Sequence, residues 1–154
     1  MKTRITSILS LVVIAALVGC NRGEGSSGGG SGGGGGSSAG GAVSVGSPVQ
    51  GTFGTSLPTD GEGKPYVDYT LTIAAAGSYR IDLVSTNTDT YDPYVAVLQG
   101  TNVLGSDDDG GDGPLQSRLT QTLQPGTYTV RVTRYGSGQI DSAVPFTLTV
   151  AQAS

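Results

Sequence analysis

The chain has no histidine, no tryptophan, one cysteine and one methionine. Without histidine there is no Ser-His-Asp triad and no HExxH zinc site. Without tryptophan, an aromatic platform for a ligand has to come from the seven tyrosines and two phenylalanines. A lone thiol cannot close an intramolecular disulfide, so packing or a bound metal must hold the fold. Charge is also sparse. Only 13% of residues are Asp, Glu, Lys or Arg, and 12 acids face 8 bases. A net-acidic chain with no basic run is a poor partner for nucleic acid or anionic lipid through its protein surface. Glycosidic chemistry remains open to a carboxylate pair about 5 to 9.5 Å apart across a cleft. The acids here cluster in loops, and the small strand-rich chain has no long cleft-forming insertion, so an enzyme is not expected.

What is present begins with the first residues. Met1-Lys2-Thr3-Arg4 is a short basic start, Ile5 to Val18 carries no charge, and Leu17-Val18-Gly19-Cys20 places small residues just before the thiol. A membrane-spanning helix needs about 20 apolar residues. Ile5 to Gly19 is shorter and contains Thr6, Ser7 and Ser10, which suits the apolar region of a cleaved secretory signal. The segment resembles a bacterial lipoprotein lipobox, with Leu17 three positions before the cysteine and Gly19 directly before it. The resemblance implies a signal peptide over residues 1–19, a diacylglycerol thioether on Cys20 and an N-acyl chain of the palmitate type. Several acyl chains, at about 0.8 kcal/mol per buried CH₂, would hold a small domain on a membrane. Asn21 replaces the Asp that commonly retains Gram-negative lipoproteins at the inner membrane, so the expected location is the outer membrane of a Gram-negative cell envelope.

Residues 20–41 comprise the lipid-bearing cysteine and a tract of almost pure Gly and Ser. Such a tract has no apolar side chains to offset the entropy of ordering and reads as a flexible tether. About 20 such residues reach roughly 25 Å. The foldable domain is then residues 42–154, large enough for one modest core. Removing Lys2 and Arg4 with the leader leaves six bases against 12 acids.

Within this domain apolar residues recur with period two, and no helical period is convincing. Val67, Tyr69, Leu71 and Ile73 alternate with polar neighbours. So do Tyr79, Ile81 and Leu83, then Tyr128, Val130 and Val132, then Phe146, Leu148 and Val150. Tyr94 to Leu98 is continuously apolar, as a strand covered on both faces would be. Shorter candidates are Val49 to Phe53, Val103 to Gly105 and Leu115 to Leu123. Turn compositions separate them, including Thr59-Asp60-Gly61, Ala76-Gly77, Gly100-Thr101-Asn102, Pro125-Gly126 and Gly136-Ser137-Gly138. The expected fold is all-β: an antiparallel β-sandwich, jelly-roll-like, of about seven to nine strands. Gly77-Ser78-Tyr79 and Gly126-Thr127-Tyr128 each open a strand with a tyrosine that reads as core or corner packing.

The acids are unevenly spread. Asp107, Asp108, Asp109 and Asp112 fall within six positions, and Asp89 and Asp92 precede the apolar strand. If Leu98 pairs with Val103 across the turn, Asp92 lies opposite Asp109 to within one residue. Carboxylates gathered at one end of a hairpin repel unless a cation or water screens them. Ca²⁺ takes six to eight oxygen ligands in flexible geometry, and Gly110, Gly111 and Gly113 would let the backbone present carbonyls. A calcium site at Asp89, Asp92, Asp107, Asp108, Asp109 and Asp112 is one reading, and a solvated acidic loop is the other. An EF-hand is excluded, because a loop begun at Asp107 would have Asp112 and Arg118 where Gly and Glu are needed.

Three segments now occur in order: Asp92-Pro93-Tyr94-Val95-Ala96-Val97, Leu104-Gly105-Ser106-Asp107-Asp108-Asp109-Gly110, and Leu123-Gln124-Pro125-Gly126-Thr127-Tyr128-Thr129-Val130-Arg131-Val132. Together with Gly77 to Leu83 and Phe146 to Val150, this resembles the bacterial pre-peptidase C-terminal domain over most of positions 48 to 151. The resemblance implies a jelly-roll-like sandwich related to the collagen-binding domains of bacterial collagenases. It also implies a non-catalytic accessory role in substrate or matrix binding, sometimes with calcium, with Asp92, Asp107, Asp108 and Asp109 at the acidic motif. No peptidase precedes the domain in this sequence. The expected function is therefore that of an envelope lipoprotein presenting a binding module to an extracellular protein, glycan or matrix component. Tyr66, Tyr91 and Tyr135, near strand ends, are the candidate platform tyrosines, with rim or packing roles as the other reading of each; Arg131 and Arg134 could assist an acidic ligand or lie on solvated strand faces. A structural or chaperone-like partner of another exported protein, docking through an edge strand, is the alternative.

Overall fold

A computed structural model of the chain describes residues 39–87, 91–136 and 142–154. The leader, Cys20 and Asp89 lie outside the described residues. Nine strands and no helix form among those described. Consequently none of the described residues belongs to a helix long and apolar enough to cross a membrane.

Strands β1 (Ala39–Val43), β3 (Val67–Ile73), β8 (Gly126–Arg134), β5 (Pro93–Gln99) and β6 (Asn102–Asp107) form one sheet, in that spatial order. Strands β2 (Val49–Phe53), β9 (Val144–Gln152), β4 (Gly77–Ser85) and β7 (Ser117–Leu123) form the second. All pairings are antiparallel except β1 with β3. The chain is a β-sandwich, as the period-two pattern requires. On β3, Val67, Tyr69, Leu71 and Ile73 are buried while Thr70 and Thr72 face solvent. Ile81, Leu83, Val130, Val132, Leu148 and Val150 fill the space between the sheets. The apolar side chains of each sheet are thereby removed from water by the other, which is the main driving force for this architecture.

An aromatic cluster sits at one end of the core. The Phe53 ring lies 4.3 Å from Tyr91 and 4.5 Å from Phe146, and Tyr69 meets Phe146 edge-on at 6.4 Å. Gly51 is the cross-strand partner of Phe146, and a Cβ there would fall 2.2 Å from the ring. The absent side chain is what lets the ring lie over the backbone. Each of the two repeated tyrosines closes a corner. Tyr79 donates its hydroxyl to Ala75 O at 2.8 Å, and Tyr128 to Gln124 O at 2.9 Å.

Two boundaries differ from the pattern in the sequence. Strand β1 begins at Ala39, inside the Gly/Ser tract. Its pairing is set by the free edge of β3, not by its own propensity, and Gly40 packs where a Cβ would lie 2.6 Å from Val67 and the Tyr69 ring. Leu115 does not enter β7. It sits in a turn with φ of +51°, a conformation uncommon for a branched side chain, and the strand starts two residues later.

Candidate functional site

The β5–β6 hairpin turns through Gly100 and Thr101, with Gln99 opposite Asn102 and Gly100 at φ +61°. Leu98 pairs with Val103, as its spacing predicts. A bulge between Val97 and Leu98 then shifts the register by one, so Val97 faces Gly105 and Val95 faces Asp107. Asp92, Asp108 and Asp109 consequently share one end of the hairpin. Burial raises the Asp92 carboxyl above its ordinary range, Asp109 and Asp108 add to the rise, and Arg134 opposes it. Asp92 Oδ1 is buried with no hydrogen-bond partner.

The other acids of the cluster have different work. Asp107 Oδ2 accepts the backbone N–H of Gly110 and of Arg118, both at 2.8 Å, and so ties the loop to the start of β7. The Asp112 carboxylate is gripped by both terminal nitrogens of Arg118, with Nη2 to Oδ2 at 2.5 Å. That contact holds the Asp112 carboxyl below its usual range. Arg118 Nε reaches Asp82 Oδ1 at 2.5 Å, and Arg80 Nε reaches Asp82 Oδ2 at 2.8 Å. The cross-strand pair of Asp82 and Arg118 thus belongs to a chain of charges from Arg80 to Asp112. A sequence shows the opposite charges but not that β4 and β7 are neighbours, so the role of Arg118 is visible only in the fold.

The donor set can be compared with what Ca²⁺ requires. Among the described residues no three carboxylates, histidines or cysteines are grouped to hold a metal ion. Gly110 and Gly111 are closely packed, since Cβ positions there would fall 2.8 Å from Arg118 O and 2.5 Å from Gln116 O. The described residues do not assemble a calcium cage. The orphaned oxygen of Asp92 is the one feature that fits a cation.

A second feature lies on the outer face of the five-stranded sheet. The segment 58–66 folds back on itself there. Asp60 Oδ1 accepts the N–H groups of Glu62 and Lys64, each at 2.9 Å, and Asp60 N–H donates to Lys64 O. Buried Thr133 on β8 donates its hydroxyl to Pro65 O at 2.7 Å. The wall so formed stands beside a basin of about 340 Å³. Its floor is Ala96 and Leu98 of β5 with Val103 of β6, and its rim includes Glu62, Arg134 and Tyr135. Ala96 and Leu98 are buried although they face away from the core, which accounts for the unbroken apolar run of β5.

The three candidate tyrosines separate sharply. Tyr91 is 1% exposed, packs on Phe53, and donates its hydroxyl to Thr133 O at 2.5 Å. It is a core residue and cannot form a platform. Tyr66 is buried beneath the Arg131 guanidinium, 4.0 Å from the ring centre. Tyr135 is 54% exposed at the basin rim. Arg131 is held by both carboxylate oxygens of Asp68 at 2.7 and 2.8 Å, which raises its already high pKa.

No protein-family model matches the chain, and no curated protein matches it. Among solved structures, it is similar to the pre-peptidase C-terminal domain of collagenase from Bacillus anthracis. The TM-score is 0.52 at 15% identity, over 74% of this chain and 95% of that one. A periplasmic inhibitor of g-type lysozyme from Aeromonas hydrophila aligns at a TM-score of 0.46 and 16% identity, over 74% of this chain and 96% of that one. The first likeness shows that the sandwich is of the kind the motifs resemble. At these identities it speaks to the fold alone.

Proposed function

We propose that this chain is a non-catalytic binding module of the cell envelope, carried by a lipid on Cys20, that meets a protein, glycan or matrix component through the outer face of its five-stranded sheet. The observation that supports this reading most is the basin. It is preformed, lies on a rigid sheet, and joins an apolar floor to a rim of both charges, as recognition sites commonly do. The collagenase origin of the similar Bacillus anthracis domain is the reason matrix protein stands among the candidate ligands. The absence of histidine from the chain and the pairing of Asp68, Asp82 and Asp112 with arginines favour binding over hydrolysis.

The test uses the full chain immobilised and exposed to detergent-solubilised envelope and to polysaccharide fractions. Retention that is lost when Leu98→Arg fills the basin supports the reading, and retention unaffected by that variant refutes the assignment of the face. The anchor is tested separately: Cys20→Ser should leave the membrane fraction, and its continued sedimentation with membranes would refute lipidation. Calcium enters the proposal at the buried, unpartnered Oδ1 of Asp92 only. Calorimetry with Ca²⁺ and melting with and without chelator check it, and no heat and no shift removes it.

One observation favours a second reading. The edge strand β6 pairs on one side only and exposes Val103 at 60% and Leu104 at 38%. An extended segment of another exported protein could add there as a further strand. A single stoichiometric protein recovered from native membranes would favour it.

A further inference from the structure

We infer that the basin on the outer face of β5 and β8 is a saccharide site that takes one or two sugar rings; this rests on the binding-module reading above. Size is the first observation. About 340 Å³ lies at the small end of ligand sites, room for a mono- or disaccharide unit and not for a folded partner or a bundle of chains.

The rim chemistry is the second. Lys64, Arg131 and Arg134, three of the five basic residues described, line this one basin of an acidic protein. Two of them are already engaged by carboxylates: Lys64 Nζ lies 2.8 Å from Glu62 Oε2, and Arg131 is bidentate to Asp68. A fully charged ligand would have to break such pairs. At the Lys64–Glu62 pair, both members of which line the basin, a hydroxyl group can instead accept from the cation and donate to the carboxylate at once, leaving the pair in place. A polyhydroxylated ring offers several such groups at fixed spacing.

The third observation is the apolar surface. Tyr135 presents a half-exposed ring at the rim, and Val103 adds an exposed side chain to the floor. A sugar ring has one face of C–H groups that stacks on an aromatic ring while its edge hydroxyls reach polar neighbours. Tyr135 with Asp60, Glu62 and Lys64 supplies both kinds of contact within one basin. The wall is fixed by the Asp60 turn and the Thr133–Pro65 hydrogen bond, so little ordering is needed on binding.

The experiment titrates the ¹⁵N-labelled full chain with cellobiose, N,N′-diacetylchitobiose and lactose, following amide shifts. Saturable shifts of Leu98, Val103, Tyr135 and the 60–64 turn with at least one disaccharide are expected. Tyr135→Ala should weaken that binding by about fivefold, the scale of one lost ring contact. Glu62→Gln, on an exposed turn, should weaken it as well, while the unliganded spectra of both variants stay folded. Which sugar binds identifies the ring decoration. No saturable shift with any of the three up to about 50 mM, far above the affinity range of a functional site, overturns the saccharide assignment. In that case, shifts of the same amides with envelope extract would leave the binding-module reading standing, and silence toward both would overturn the two together.

Discussion

Tyr91→Phe tests whether the aromatic end of the core, and not the surface, is where this tyrosine acts. The substitution keeps the ring against Phe53 and removes only the hydroxyl that donates to Thr133 O. A buried hydrogen bond is worth about 1 kcal/mol net, and a stranded buried acceptor raises the cost toward 2 kcal/mol. At about 4–8 °C per kcal/mol for a domain near this size, melting should fall by roughly 4–16 °C. Tyr91→Ala also removes the ring and should cost about 3–5 kcal/mol, a large share of the roughly 5–15 kcal/mol that holds a typical domain. With no tryptophan in the chain, urea unfolding is followed by far-ultraviolet circular dichroism. A Tyr91→Phe effect within about ±0.5 kcal/mol, as surface substitutions give, would refute the placement. The loss should also be felt at the basin, because Thr133 is followed by Arg134 and Tyr135, and Tyr135 N–H donates to Asp92 O at 2.8 Å. Weaker protection of the Tyr135 amide from hydrogen exchange in Tyr91→Phe would report that link.

Three further outcomes are expected. Gly51→Ala should destabilise by about 1–3 kcal/mol, since its Cβ would press on the Phe146 ring at 2.2 Å, and an unchanged urea midpoint would contradict that packing. Asp92 has its folded-state pKa raised, so its contribution is fully present below the ordinary aspartate value and is lost as pH rises through the raised one. Asp92→Asn should therefore gain stability over wild type as pH increases across that window and match it in acid, and a constant difference at all pH values would count against the buried carboxyl. Arg118→Gln should release the 108–116 loop while leaving the sheets intact. Hydrogen exchange at Gly110 and Gly111 should speed up, whereas exchange at Ile81 should not.

Much of the sandwich was legible because period-two patterning is a direct consequence of one face meeting the other sheet. The eight strands with apolar alternation or an apolar run all form, and the Leu98–Val103 pairing follows from a two-residue turn. Strand β1 was not legible: Ala39 to Val43 is composed like a linker, and only the free edge of β3 makes it a strand. The acidic cluster was legible as a cluster but not in its parts. Asp107 and Asp112 look like Asp108 and Asp109 in sequence, and their partners, Gly110 N–H and Arg118, depend on where β7 lies. The sequence leaves Tyr91 open between a platform and a packing role because it stands between polar residues, where no period announces burial. The basin is not legible in the sequence because its wall comes from a turn and its floor from the outward face of β5.

Strand β1 has a practical consequence. Read from composition, the domain could be started at Ala42 without loss. In the folded molecule that cut would remove most of the strand that covers β3 and leave a row of unpaired N–H and C=O groups beside Val67, Tyr69 and Leu71. An uncovered apolar edge of that kind recruits other chains, and the shortened protein would tend to aggregate. Within a tract where glycines look interchangeable, Gly40 is fixed by the ring of Tyr69.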